Sequence, residues 1–118
     1  MLFELVKGVN MSMEPDWINV ARVSDIDSAV PLLVSVNNRP IALYRIDDMV
    51  YATDDTCSHA EASLSEGTYD GYIVTCPRHG GQFDIRTGIA VKMPAVTPID
   101  VFTVRLEGGM VFLNAHDV

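Results

Sequence analysis

Only two cysteines occur in the chain, and each is followed closely by a histidine: Cys57-Ser58-His59 and Cys76-Pro77-Arg78-His79, with sixteen residues between His59 and Cys76. Thiolate and imidazole are common ligands of transition metals, and three chemistries compete for this set. A Cys57–Cys76 disulfide is the plainest, but it suits an oxidising compartment and leaves both histidines unexplained. A zinc ion accepts two thiolates and two imidazoles in a tetrahedral shell. Its usual layout pairs Cys with Cys and His with His, whereas both halves here are mixed; a zinc-stabilised interaction module is the alternative without redox chemistry. A 2Fe-2S cluster with two thiolates on one iron and two imidazoles on the other needs mixed halves, because each loop gives a sulfur to one iron and a nitrogen to the other.

The residues around the second pair suit close packing on a cluster. Gly80 and Gly81 are expected to let the backbone approach and aim N–H groups at cluster sulfurs, and Pro77 to stiffen the bend between ligands. Taken together, Cys57-Ser-His59, Cys76-Pro-Arg-His79-Gly-Gly-Gln-Phe83-Asp84 and Thr87-Gly88 resemble the Rieske-type 2Fe-2S ferredoxins of bacterial aromatic-ring-hydroxylating dioxygenase systems, from about Trp17 onward. The resemblance implies an antiparallel β fold with a smaller cluster-binding subdomain. It implies Cys57 and Cys76 on an inner iron, His59 and His79 on an outer one, and a third loop with a proline covering the cluster, matched by Met93-Pro94-Ala95. It also implies a carrier taking single electrons from a flavin-containing reductase to a terminal oxygenase in aromatic hydrocarbon catabolism. A small Rieske subunit of a nitrite reductase or other oxidoreductase complex is the neighbouring reading.

Two departures from the high-potential, respiratory-type Rieske pattern bear on redox tuning. That pattern has a spare cysteine in each ligand loop, joined as a disulfide; here Ala60, Glu61 and Arg78 stand in the neighbourhood. It also has a Ser and a Tyr that donate to cluster or ligand sulfur, at positions held here by Gly81 and Phe83. Fewer hydrogen bonds stabilise added negative charge less, so the potential is expected at the low end of the Rieske range, on the order of -150 mV.

Most of the chain reads as short strands between turn residues, which favours an all-β, antiparallel sandwich or barrel. Trp17 to Val23 alternates in character. Pro31 to Val36 meets Arg39 to Ile46 across Asn37-Asn38, a pair suited to positive φ. Met49 to Thr53 follows Asp47-Asp48 and delivers the chain to Cys57. Further strands are expected at Tyr72 to Thr75, Gln82 to Ile85, Ile99 to Leu106 and Met110 to Asn114, the last two joined across Gly108-Gly109. Ser24 to Ala29 and Glu61 to Ser65 have helical character for a turn or two. Asp54 to Gly71 and Cys76 to Pro94 read as the long loops, within a ligand-bearing region of about 54–94. Residues 14–118 are expected to form one domain, and residues 1–13 an extension without a legible role.

Sixteen acidic against eight basic residues give a net charge of -8, which argues against nucleic acid or anionic membrane as partner. A basic protein partner fits better. Between Arg45 and Arg78 no Lys or Arg occurs, while Asp47, Asp48, Asp54, Asp55, Glu61, Glu66 and Asp70 do; this acidic run is expected to surround the first Cys/His pair and to dock a reductase. The longest apolar runs are far shorter than the roughly 18 residues that span a bilayer, and the N-terminal residues do not read as a secretion signal, so a cytoplasmic monomer is expected. With His59 and His79 used, the chain has no second iron site for oxygen chemistry; it is expected to carry electrons without being catalytic alone. Asp84 and Arg86 are expected to pair locally, Phe83 to pack beneath the second loop, and Trp17 to be a packing or edge residue. His116 is given no role.

Overall fold

The computed structural model describes residues 16–58, 62–78, 80–93, 95 and 97–118. Eleven strands follow in order: β1 (Trp17–Arg22), β2 (Leu32–Val36), β3 (Arg39–Ile46), β4 (Met49–Asp54), β5 (Thr68–Asp70), β6 (Ile73–Thr75), β7 (Gln82–Asp84), β8 (Ala90–Lys92), β9 (Val101–Phe102), β10 (Val104–Glu107) and β11 (Met110–Asn114). They form three antiparallel sheets, ordered β1-β11-β10, β2-β3-β4-β9 and β5-β6-β7-β8. The all-β antiparallel expectation holds. No described helix is long and apolar enough to cross a membrane.

Local chemistry accounts for the hairpins. Asn37 and Asn38 take φ of 54° and 66°, the conformation a two-residue turn needs when it must match the twist of its strands. The resulting register sets Val36 opposite Arg39 and Leu32 opposite Leu43. The closing hairpin, β10 to β11, pairs Glu107 with Met110 across the two glycines.

Strand β3 joins the two cores. Residues Ile41 to Tyr44 are all inaccessible to solvent, which requires cover on both faces of the strand. Alternation divides them: Ile41 and Leu43 enter a core with Ile26, Val36, Val50, Phe102, Val111 and Leu113. Ala42 and Tyr44 enter a second core with Leu64, Tyr69, Val74, Phe83, Ile85 and both cysteines. The first core fills the space between the two larger strand groups; the second belongs to the small sheet β5 to β8.

Two expectations need correcting. Ile99 to Leu106 is not one strand: β9 pairs with β4 and β10 with β11, because the chain changes sheets at Thr103 and no single ladder can serve both. Strands β5 and β8 lie inside segments expected to be loops; each has three residues, too short to show a period, and forms only as the next rung on β6 and β7. The helical segments amount to single 3-10 turns at Val23–Asp25 and Leu64–Glu66.

Tyrosines brace the two cores. The buried Tyr44 hydroxyl lies 2.8 Å from Thr53 Oγ1, and burial pushes its phenol pKa up. The Tyr69 hydroxyl accepts from Arg45 N at 2.9 Å, lies at the same distance from Arg45 O, and donates to Asp27 O at 2.5 Å. Strand β5 is thereby fastened to β3, and its ring meets Tyr44 edge-on at 5.2 Å between centroids.

Candidate metal centre

Strand β4 delivers the first ligand loop. Asp55 N donates to Pro40 O at 3.1 Å, and the Asp55 carboxylate, 4% exposed, accepts from Ser65 N at 2.8 Å and from the Ser63 hydroxyl. Its backbone oxygen takes Leu64 N–H at 2.7 Å, and Cys57 N–H donates to Ala62 O at 2.9 Å. The strand-like turn so closed holds the Cys57 side chain inward, 3% exposed, with Ser58 outside and donating to Thr97 O. Leu64, fully buried, plugs the loop into the small core.

The second loop connects β6 to β7. Cys76 N–H donates to Gly81 O at 2.8 Å and Gly80 N–H returns to Cys76 O at 3.1 Å, so the loop is a backbone-closed turn. Gly80 occupies φ of 78°. Its N–H serves that turn, where the sequence suggested it would point at a cluster sulfur. Gly81 is a site of close approach: a Cβ there would sit 2.9 Å from Ala95 Cβ. Pro77 and Arg78 are exposed, while Cys76 is 1% exposed. Phe83, also fully buried, packs in the same core as Cys76.

A third segment, running from β8 through Met93 to Ala95, lies against the second loop through the Gly81–Ala95 contact; Ala95 N–H donates to Lys92 O at 3.2 Å. The two loops also meet directly, since a Cβ on Gly67 would lie 2.3 Å from Thr75 O and 3.2 Å from Pro77 Cδ. His59, Ala60, Glu61, His79, Pro94 and residues 1–15 lie outside the described residues.

Cys57 and Cys76 therefore reach one buried core from two facing loops, and no disulfide joins them. The disulfide reading fails on that observation. Two buried thiols and the histidine beside each are a donor set that fits a mixed-ligand 2Fe-2S cluster, in a cradle that side chains larger than glycine at Gly67 and Gly81 would obstruct. Asp55, Leu64, Gly67 and Ala95 build this cradle although sequence reading did not single them out. The one legible signal was Leu64, an isolated large apolar residue among Glu, Ser and Ala.

Among the described residues the acidic run is divided: Glu66 closes the first loop beside Ala62 and Ser63, while other members stand elsewhere. Asp55 is buried in the first loop, and Asp54 accepts from Arg39 Nε at 2.8 Å, the same guanidinium donating through Nη2 to Asp100 at 2.7 Å. Asp47 and Gly71, the neighbour of Asp70, line a separate groove with Arg45, Ile46, Ser28 and Tyr69. The six residues of β4, roughly 20 Å at about 3.4 Å per residue, separate the Asp47-Asp48 turn from the first ligand loop. Sequence neighbours were parted because a hairpin sends its turn to one end and its open strands to the other.

The Rieske [2Fe-2S] domain profile matches residues 16–103. Ferredoxin CarAc of Metapseudomonas resinovorans is 42% identical over 102 residues, covering 86% of this chain and 95% of the relative. The ferredoxin component of the p-cumate 2,3-dioxygenase system of Pseudomonas putida is 42% identical over 107 residues, covering 87% and 91%. Among solved structures, the ferredoxin in the complex of reduced oxygenase and oxidized ferredoxin of carbazole 1,9a-dioxygenase superposes with a TM-score of 0.78 at 41% identity, covering 86% of this chain and 95% of that one.

Proposed function

The chain belongs to the Rieske 2Fe-2S family, whose cofactor is one Rieske-type cluster, and from that premise we propose that it is the ferredoxin of an aromatic-ring-hydroxylating dioxygenase system. It takes single electrons from a flavin-containing reductase, passes them to a terminal oxygenase, and performs no oxidation alone. The observation that carries the reading is the pair of buried, unbridged cysteines on facing loops, each with a histidine in its motif, in a chain of this family.

When bound, the cluster supplies a one-electron couple whose oxidised form is formally neutral with its two thiolates and two imidazoles, and whose reduced form carries one negative charge. Cys57 and Cys76 hold the inner iron and His59 and His79 the outer one. Gly81 and Pro94 place the second and third loops over the cluster, while Pro77 and Gly80 shape the turn between Cys76 and His79. Burial of both cysteines excludes water from the sulfur side, and the absence of a hydroxyl at Gly81 and Phe83 withholds two donors, keeping the potential at the low end of the Rieske range, on the order of -150 mV. Residues 14–118 are the functional domain, acting as a monomer in the cytoplasm.

Absorption and electron paramagnetic resonance spectra of the dithionite-reduced protein test the assignment. The expected result is a visible chromophore bleached on reduction, a one-electron paramagnetic signal and acid-labile sulfide. A colourless protein containing zinc would replace the carrier with an interaction module. Turnover with a dioxygenase reductase and oxygenase is then expected; a clearly positive potential would overturn the low-potential assignment.

A further inference from the structure

The third segment touches both cysteine-bearing loops. On one side Ala95, buried at 3% exposure, fills the space that Gly81 leaves: a Cβ on that glycine would lie 2.9 Å from Ala95 Cβ and 3.1 Å from Ala95 N. On the other side the Ser58 hydroxyl donates to Thr97 O. The first contact works by shape, whereas the second is a single directional hydrogen bond between two exposed residues. Beyond Thr97 the chain is fastened again. Ile99 N–H donates to Gly88 O at 2.9 Å, Asp54 N–H donates to Asp100 O at 2.9 Å, and the Asp100 carboxylate accepts from Arg39 Nη2 at 2.7 Å. Thr97 thus lies between a buried alanine and a bonded base, and Ser58 is the first-loop residue that reaches it.

We propose that Ser58 is a positioning residue, whose hydroxyl latches the third segment across the first ligand loop and thereby limits the water that reaches the cluster. The inference rests on the electron-carrier function above. Ser58 directly follows the buried Cys57, so the latch closes inside the first Cys/His motif. Its hydroxyl is spent on Thr97 O, which ties two loops together. The oxidised cluster with its ligands is formally neutral and the reduced one singly negative. Water that reaches the site stabilises the charged form more, so a shell that excludes water lowers the potential. The latch therefore acts in the same direction as the missing hydroxyls at Gly81 and Phe83. One hydrogen bond shifts an open–closed balance about two- to tenfold, which changes how often the segment lifts without unfolding the domain.

The test compares the cluster-loaded protein with its Ser58→Ala and Ser58→Thr variants. Iron release from the oxidised protein to a chelator is expected to be about two- to tenfold faster for Ser58→Ala. Its equilibrium with a one-electron mediator dye is expected to lie about two- to fivefold further toward the reduced cluster. The denaturation midpoint is expected to change little, because both partners of the bond are exposed. Ser58→Thr keeps the hydroxyl and is expected to restore release and equilibrium together. Either quantity unchanged in Ser58→Ala, or Ser58→Thr as impaired as Ser58→Ala, would overturn the latch while leaving the carrier function in place. A preparation with no chromophore bleached by dithionite would overturn the carrier function and this inference with it.

Discussion

The two cysteine-bearing loops are held by different means. The first, from Asp55 to Leu64, is held by side chains: a buried carboxylate collecting the Ser65 N–H and the Ser63 hydroxyl, and a leucine fully buried beneath it. The second, from Cys76 to Gly81, is held by two backbone hydrogen bonds and by the space that glycine leaves against Ala95. Long loops have more freedom to lose on folding, so the first needs specific anchors, whereas the second is short enough for a hairpin turn to hold it. Damage to the first loop should therefore act through lost contacts, and damage to the second through lost room.

The largest expected effect is shared by both loops. Cys57→Ser or Cys76→Ser removes a proposed thiolate ligand, and purified protein should lack the visible absorption and acid-labile sulfide; retention of a full cluster in either variant would break the ligand assignment. Leu64→Ala comes next, since emptying a fully buried leucine site costs about 2–5 kcal/mol, readable as a lower denaturation midpoint and faster cluster loss. Asp55→Ala should cost about 1–3 kcal/mol by orphaning the Ser65 N–H. A matching test of the second loop is Gly81→Ser, whose Cβ would fall 2.9 Å from Ala95 Cβ; its cluster should be lost faster even though a hydroxyl is gained. If Asp55→Ala were silent and Gly81→Ser benign, the contrast between the loops would collapse.

Smaller effects sharpen the picture. Phe83→Tyr adds a donor, and a hydrogen bond stronger by about 1 kcal/mol in the reduced state should raise the potential by about 40 mV, measured by redox titration. The smallest effect belongs to the far end of β7, where Arg86 holds the Asp84 carboxyl below its ordinary value of 3.8 through a 2.9 Å ion pair. A lowered carboxyl stabilises the fold above its unfolded value, and the contribution is lost as pH falls through the folded one. Arg86→Gln should lower the melting temperature slightly at pH 7, and the difference should vanish in strong acid.

Much of the fold was legible because the hairpins are written locally. Asn37-Asn38 between two apolar runs demanded positive φ, and β3 occupies Arg39–Ile46 as the pattern indicated. The small sheet was less legible, since three-residue strands such as Ala90–Lys92 gain their hydrogen bonds only from a neighbour already in place. The acidic run was misleading for a related reason: adjacency along the chain did not say which residues would share an end of the molecule.

What the sequence determined by itself was chemistry: two Cys/His pairs whose mixed halves suit one cofactor, and turn residues whose backbone preferences need no partner. The tertiary structure alone decided that Ala42 and Tyr44 of β3 would pack beside the cysteines and Ile41 and Leu43 in the other core, that Asp55 would be buried as an anchor, and that Arg78 would face solvent. Those outcomes depend on which surfaces meet across the chain, and burial and pairing arise only from that meeting.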